Sequence, residues 1–244
     1  MRTTGLPARS ALGTSLTDAG TLDAVLVPLG GAGVVLGRSA DGRPQPVPLF
    51  RPEPTSVVLL GGRALAQLVA FRSMAVGARV LVSTADPARW TNFAHLGAGS
   101  SGDVRLTPRP VPGGGTATVP HLVVADGVLP DVPGQPAADV PDDAGPAGGP
   151  ASWSTTLTVL GQLTADSRDL LAGADLVLVQ SPTPAEARTV AAALARPEAE
   201  LPLSRLDPEE IGAVTRHGVR TWSSAPTSVE RWLIGAVDRR PPRR

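Results

Sequence analysis

The chain contains no cysteine, no tyrosine and no lysine, so all 22 of its basic residues are arginines. Without cysteine, no disulfide, catalytic thiolate or zinc–thiolate ligand can form, and cysteine usage gives no indication of the redox compartment. Without lysine, the chain cannot form a Schiff base, and it lacks the P-loop lysine that contacts the phosphates of ATP or GTP. The absence of both tyrosine and lysine also excludes a Tyr–Lys pair that would protonate a carbonyl.

The chain also has no excess charge of one sign, and aromatic residues are few. The 22 acidic residues balance the 22 arginines, and aromatic residues make up only 3% of the chain. Nucleic-acid-binding proteins usually carry a basic excess on one face, so this composition argues against a nucleic-acid partner. The hydrophobic content of 42% is sufficient for a folded core.

No long hydrophobic run is present either. The longest mostly apolar stretch, residues 24–37, is interrupted by Pro28 and by Gly30–Gly31, whereas a bilayer-spanning helix needs about 20 apolar residues. Residues 1–19 lack the apolar core of a secretory signal. We therefore expect a cytoplasmic protein with no direct membrane span.

The composition changes along the chain and predicts an ordered centre with flexible ends. The predicted regions are a disordered N-terminus (1–21), a small β-meander (22–50), an α/β domain (51–236) containing an acidic Pro/Gly loop (130–150), and a basic disordered tail (237–244). Alternating β-like and helix-like segments in the α/β domain indicate a doubly wound, mostly parallel, Rossmann-like sheet.

Turn-forming residues place hairpins at both ends of this sheet. Asp41–Gly42 favours a tight turn in the meander, because both residues accept positive φ angles cheaply. Pro46 and Pro48 cannot donate ladder hydrogen bonds, so the strand that contains them should lie at a sheet edge. His217–Gly218 predicts a second, C-terminal hairpin.

One segment is typical in part of a dinucleotide-binding turn. The apolar strand that ends at Leu60 is followed by two glycines and a helix, which is the context of that motif. The candidate cofactor-binding residues are Gly61, Gly62, Arg63, Ala66 and Asp86. Arg63 stands where the motif's second glycine would allow the pyrophosphate to approach, and Asp86 is poorly spaced for a ribose contact. The fit is therefore partial, and weak phosphate binding with Arg63 as a helper stays open.

No catalytic or metal-binding constellation is evident. The three histidines, His95, His121 and His217, are not at metal-ligand spacing, and the G-x-S-x-G motif of a nucleophile elbow is absent. Of the four tryptophans, Trp222 and Trp232 lie in the predicted hairpin and last helix. Because tryptophan is enriched at protein interfaces, we predict that these two bind a partner.

Several segments carry a resemblance to a known family. They are Leu49–Thr55 (LFRPEPT), Val57–Gly62 (VVLLGG), Gly77–Val80 (GARV) and Ala85–Trp90 (ADPARW). Together they resemble soluble α/β segments of actinobacterial type VII (ESX) secretion-locus proteins, the EccE-like components in particular. The resemblance implies an accessory protein whose partners are other secretion-system components. Members of that family usually carry membrane helices, so this chain would be a cytosolic part of the assembly or would reach the inner face of the membrane through a partner.

Three functions are compatible with the sequence. The favoured prediction is a non-catalytic accessory or scaffold protein of a type VII-like secretion assembly, with no cofactor. The alternative is a degenerate nucleotide- or dinucleotide-binding module, acting as a sensor or oxidoreductase with NAD or another nucleotide. The third is a small hydrolase or transferase with an unrecognised site. The sequence leans against an enzyme and leaves the oligomeric state open.

Overall fold

The computed structural model describes residues 33–98, 103–108, 113–127, 152–164 and 167–239. Its strands are β1 (Val34–Arg38), β2 (Pro44–Val47), β3 (Thr55–Leu60), β4 (Arg79–Thr84), β5 (Val104–Thr107), β6 (His121–Asp126), β7 (Ser154–Leu160), β8 (Leu176–Gln180), β9 (Glu210–Thr215) and β10 (Gly218–Ser223). Its helices are α1 (Arg63–Met74), α2 (Ala88–Ala98), α3 (Ser167–Ala172), α4 (Pro184–Ala193), α5 (Glu200–Ser204) and α6 (Ser228–Ile234), with a short 3₁₀ turn at Pro197–Ala199.

The ten strands form one sheet in the order β2-β1-β10-β9-β8-β3-β7-β6-β4-β5. The six strands from β8 to β5 are mutually parallel. The sheet continues beyond β8 with four strands, β9, β10, β1 and β2, each antiparallel to its neighbours. The predicted α/β fold with a mostly parallel sheet is confirmed.

Helices cover both faces of the sheet, because successive residues of each central strand point to opposite sides. On one face, Leu59 of β3 packs in a cluster with Leu65 of α1, Phe93 of α2 and Leu233 of α6. On the other face, Leu60 of β3 packs in a cluster with residues of α3, α4 and α5. The strand segment TSVVLL is buried along most of its length for this reason. No helix among the described residues is long and apolar enough to cross a membrane.

The turns between antiparallel strands lie where the turn-forming residues predict them. Gly42 adopts a φ of +79° in the turn between β1 and β2, and β2, which contains Pro46, lies at the sheet edge. β9 and β10 pair from Thr215–Gly218 through to Glu210–Ser223. The first part of the predicted meander, residues 22–32, lies outside the described residues, as do the predicted disordered region 1–21 and the acidic loop 130–150.

The C-terminal segment differs from its prediction. Helix α6 ends at Ile234, because Gly235 takes a positive φ of +82° that breaks the helical path. Val237 and Arg239, which lie in the predicted disordered tail, make hydrogen bonds to Gln180 at the end of β8. Val237 also packs against the core, so these two residues are held against the domain. Residues 240–244 lie outside the described part of the chain.

Close contact between β1 and β10 depends on a glycine. A Cβ at Gly37 would overlap the carbonyl oxygen of Ser223 and the indole of Trp222. We expect Gly37→Ala to lower the free energy of unfolding by about 2 kcal/mol, as overpacking does. A denaturant titration measures this effect. Gly97→Ala is the control, because its Cβ would meet only ordinary contacts at 3.5 Å or more. Equal stabilities for the two variants would contradict the prediction.

Candidate functional site

The sheet has a topological switch point at the carboxyl end of β3. The chain leaves β3 through α1 on one face and reaches β4, which is the third strand from β3 on the β7 side. It leaves β7 through α3 on the opposite face and reaches β8, on the other side of β3. Ligands of open α/β sheets bind in the crevice at such a point. We call this place the switch-point crevice; it is formed by Gly61, Gly62, Arg63, Gln180 and Ser181.

The N-terminus of α1 opens into this crevice. Gly62 is its N-cap, with an extended backbone and no side-chain capping hydrogen bond, and no acidic residue occupies the first turn. Gly61 N–H donates to the Leu160 carbonyl at 3.1 Å, and Gly62 N–H donates to Gln180 Oε1 at 3.2 Å. A helix N-terminus carries partial positive charge, so this end of α1 favours an anion or a negatively polarised oxygen.

Arg63, the first residue of α1, is held by an acid that the sequence analysis did not select. Its Nε donates to Asp126 Oδ2 at 2.7 Å, and the same oxygen accepts a 2.7 Å hydrogen bond from Trp90 Nε1. Trp90 is fully buried, and its ring meets Phe93 edge-on. The Asp126 carboxylate therefore fixes Arg63 at the mouth of the crevice.

The C-terminal segment crosses the crevice. We call Gly235–Arg239 the strap. Gln180 Nε2 donates to the Val237 carbonyl at 2.7 Å. The carbonyl oxygen of Asp238 lies so near Gly62 that a Cβ there would be 2.9 Å from it. A negatively polarised oxygen of the chain itself thus occupies the space next to the α1 N-terminus.

Arg239 fastens the end of the strap. Its Nη2 donates to Glu186 Oε1 at 2.5 Å and to the Gly161 carbonyl at 2.9 Å. Its Nη1 donates to Glu186 Oε2 at 3.0 Å and to the carbonyls of Gln180 and Ser181, both at 3.3 Å. The Arg239 side chain is only 5% exposed. One guanidinium therefore ties together the carboxyl ends of β7 and β8 and the first turn of α4.

Glu186 has two roles at that point. It completes a capping box with Thr183 at the start of α4, and it accepts both hydrogen bonds from Arg239 described above. Burial pulls the pKa of this carboxyl upward, but the hydrogen bonds and charge of Arg239 and the bonds from Thr183 outweigh burial and lower the pKa. Glu186 is therefore held as a carboxylate against Arg239.

The structure brings together only part of the predicted cofactor site. Gly61, Gly62 and Arg63 lie at the crevice, whereas Ala66 is buried in the α1 core contact. Asp86 is exposed and forms a 2.6 Å ion pair with Arg89, three residues on. Asp86, which the spacing already placed poorly for a ribose contact, is thus paired within its own turn and away from Arg63. Asp126 is the acid that reaches Arg63.

The two predicted partner-binding tryptophans do not share a surface. Trp222 is buried, with 3% exposure, and packs under β1 beside Gly37. Its assignment to a partner surface is corrected, since the indole fills the space between β10 and β1. Trp232 is 70% exposed, next to the exposed Val229 on α6. Trp232 as a partner contact stays a prediction.

The histidines do not form a site with one another. His121 opens β6, and burial followed by the charge of Arg79 lowers its pKa, so the neutral imidazole is favoured. Among the described residues, no group of three or more His, Cys, Asp and Glu side chains could hold a metal ion.

Four residues of the site were not predicted from the sequence: Asp126, Gln180, Glu186 and Arg239. Two of them carried a usable signal, because Asp126 and Gln180 end buried apolar strands, where the carboxyl edge of a parallel sheet places functional side chains. Arg239 carried no such signal, since a basic terminus ordinarily predicts a solvated tail.

Comparison with known proteins identifies no family. No family model matches the chain, and no curated protein matches it. The chain is similar to solved structures of the genome packaging NTPase B204 from Sulfolobus turreted icosahedral virus 2. For the complex with AMP the sequence identity is 12% and the TM-score 0.45, over 71% of this chain and 98% of that chain. For the complex with AMPPCP the values are 12% and 0.44, over 71% and 99%.

These comparisons give no support to one sequence-based prediction. The similar structures are complexes of an NTPase with nucleotides, and nothing in them supports the predicted non-catalytic scaffold of a secretion assembly or the expectation that no cofactor binds. The resemblance to EccE-like components, and with it the predicted secretion-system partners, stays a prediction.

Proposed function

We propose that this chain is a degenerate nucleotide-binding module, which binds the phosphates of a nucleotide at the switch-point crevice. The observation that carries the proposal is the α1 N-terminus at the switch point of the sheet. It has no side-chain cap, no acid in its first turn and an arginine at its first position. Each of these features favours an anion.

A second observation supports the same location. The Asp238 carbonyl oxygen already lies against Gly62, so the space beside the helix terminus accepts a negatively polarised oxygen. A phosphate oxygen is also negatively polarised, and it carries a larger negative charge. Arg63, held by Asp126, would face that phosphate from the rim of the crevice.

The residues favour binding over P-loop hydrolysis. β3 ends at Leu60 and α1 begins at Arg63, so only two glycines stand where a P-loop needs several residues to surround the phosphates. The lysine of that motif is missing from the whole chain. We therefore propose a module that responds to nucleotide occupancy, as a sensor does.

The strand order favours a mononucleotide over NAD. In the classical dinucleotide-binding order, the first parallel strand lies beside the second. Here β3 lies between β8 and β7, and β4 is three places from β3. The second half of a dinucleotide site is therefore not placed next to the Gly61–Gly62 turn.

A thermal-shift panel with ATP, ADP, AMP, GTP and NAD, each at millimolar concentration, tests the proposal. A ligand at about 100 times its dissociation constant stabilises the folded state by about 2.7 kcal/mol. At this chain length, each kcal/mol raises the melting midpoint by roughly 2–4 °C. We expect a rise with at least one mononucleotide and a smaller rise with NAD. No rise with any of them, confirmed by calorimetric titration, would contradict the proposal.

A matched pair of variants locates the site. In Gly62→Asp, a carboxylate at the N-cap should satisfy the α1 terminus and repel phosphate, so the ligand-induced rise should disappear. Gly62→Asn also places a capping side chain there, with nearly the same size and no charge. If the two variants lose the response equally, steric exclusion rather than anion recognition explains the loss.

A further inference from the structure

We infer that the strap, Gly235–Arg239, is a built-in lid that closes the switch-point crevice and that a nucleotide must displace. This inference rests on the proposed function and adds its regulation. The strap lies over the ends of β7, β3 and β8, where the ligand's phosphates would bind.

The strap and a bound phosphate cannot occupy the crevice together. The Asp238 carbonyl stands next to Gly62, and the Val237 carbonyl engages the amide of Gln180. The oxygen of that same Gln180 amide accepts the Gly62 N–H. A phosphate that approached the α1 terminus would meet the strap backbone first, so opening must precede or accompany binding.

Arg239 and Glu186 form the latch of this lid. The two groups are joined through both carboxylate oxygens, and their side chains are 5% and 14% exposed. Three backbone carbonyls at the strand ends accept the other contacts of the guanidinium. By contrast, Gly235 and Ala236 are exposed and connect the strap to α6. The strap is thus anchored at its far end and joined through two small residues that can act as a hinge.

A lid of this kind has a defined effect on affinity. When only a fraction of molecules is open, the observed dissociation constant equals the intrinsic one divided by that fraction. We expect the release of the latch to tighten ATP binding by about tenfold, as for a lid that is open in one molecule in ten. The latch variants lose a buried ion pair and should unfold more readily, so the melting midpoint of each variant must first show that it is folded at the temperature of the binding measurement.

The experiment compares ATP binding by calorimetric titration in the full-length chain, in Glu186→Gln, in Arg239→Gln and in a chain that ends at residue 236. Glutamine at position 186 keeps an oxygen for the capping box and removes the charge. Arg188→Gln is the matched control, since Arg188 also lies on α4 and pairs with a glutamate, Glu200 of α5, but is 70% exposed. We expect tighter binding in the three latch variants and no change in the control.

Trypsin gives a readout that does not depend on affinity. Trypsin cleaves after Arg239 only when the Arg239 side chain enters the specificity pocket of the protease. The closed strap keeps this side chain buried. In the wild-type chain, ATP should therefore accelerate cleavage at this bond, and Glu186→Gln should accelerate it without ATP. Mass spectrometry identifies the fragment that ends at residue 239.

The outcomes separate the two proposals. Tighter binding in the latch variants together with ATP-stimulated cleavage would support the lid. Equal ATP affinity in all chains would overturn the lid and leave nucleotide binding in place. No ATP, ADP, AMP or GTP binding by any chain, including the one without the strap, would overturn the proposed function and the lid with it.

Discussion

Replacing Asp126 by alanine is expected to lower the free energy of unfolding by about 4 kcal/mol. The Asp126 carboxylate is 12% exposed and accepts hydrogen bonds from Arg63 and from the fully buried Trp90. Its removal leaves a partly buried guanidinium without its counter-charge and a buried indole N–H without an acceptor. Both losses destabilise the folded state. Chemical denaturation followed by tryptophan fluorescence measures the change, and Trp90 reports on it directly.

The control for this prediction lies at the same edge of the sheet. Asp86→Ala removes an equally short ion pair, to Arg89, whose side chains are 61% and 50% exposed. Exposed pairs of this kind contribute about 0–1 kcal/mol. If Asp126→Ala and Asp86→Ala cost the same, the Arg63–Asp126–Trp90 contact does not stabilise the fold, and the fixed position of Arg63 at the crevice loses its basis.

Glu230→Gln is the second substitution with a large expected effect, a loss of about 3–5 kcal/mol. Glu230 accepts two hydrogen bonds from Arg72, at 2.7 and 2.9 Å, and the side chains are 6% and 14% exposed. Arg72 also donates to the Leu36 carbonyl of β1 at 2.7 Å. This pair therefore joins α6, α1 and the antiparallel part of the sheet. The neutral amide would leave the charge of Arg72 uncompensated in that position.

The same pair predicts a dependence of stability on pH. Burial raises the pKa of Glu230, but the hydrogen bonds and charge of Arg72 and the bonds from Thr227 prevail and lower it below its ordinary value of 4.5. A carboxyl whose pKa is lowered on folding stabilises the protein above the unfolded-state pKa and loses that contribution as the pH falls through the folded-state pKa. The stability difference between wild type and Glu230→Gln should be largest above about pH 5 and shrink in acid.

An exposed pair provides the comparison for this experiment. Glu200→Gln alters the Arg188–Glu200 contact, whose side chains are 70% and 44% exposed. We expect a small and nearly pH-independent effect for it. A stability difference for Glu230→Gln that persists unchanged in acid would show that packing or helix capping, rather than the charge of the carboxylate, is responsible.

The sequence by itself determined the local elements. Apolar runs such as TSVVLL are short and rich in β-branched residues, which favours buried central strands, and the following apolar spacing from Arg63 onward matches a helix face. Turn residues fixed the hairpins, because only a few residue types accept the required φ angles. Pro46 marked an edge strand, since it has no N–H to donate. All of these are properties of neighbouring residues.

Only the tertiary structure decided the sheet order and the composition of the site. Arg63 meets Asp126 across 63 residues, and Arg239 meets Glu186 across 53. Local periodicity carries no information about such pairs, because the free energy that selects them comes from the packing of whole strands and helices. Asp86 has the same chemistry as Asp126 and lies nearer in sequence, but β4 is three places from β3 in the sheet, whereas β6, which ends at Asp126, is only two places away. The strand order therefore chose which acid faces Arg63, and the same order placed the C-terminal strap over the crevice.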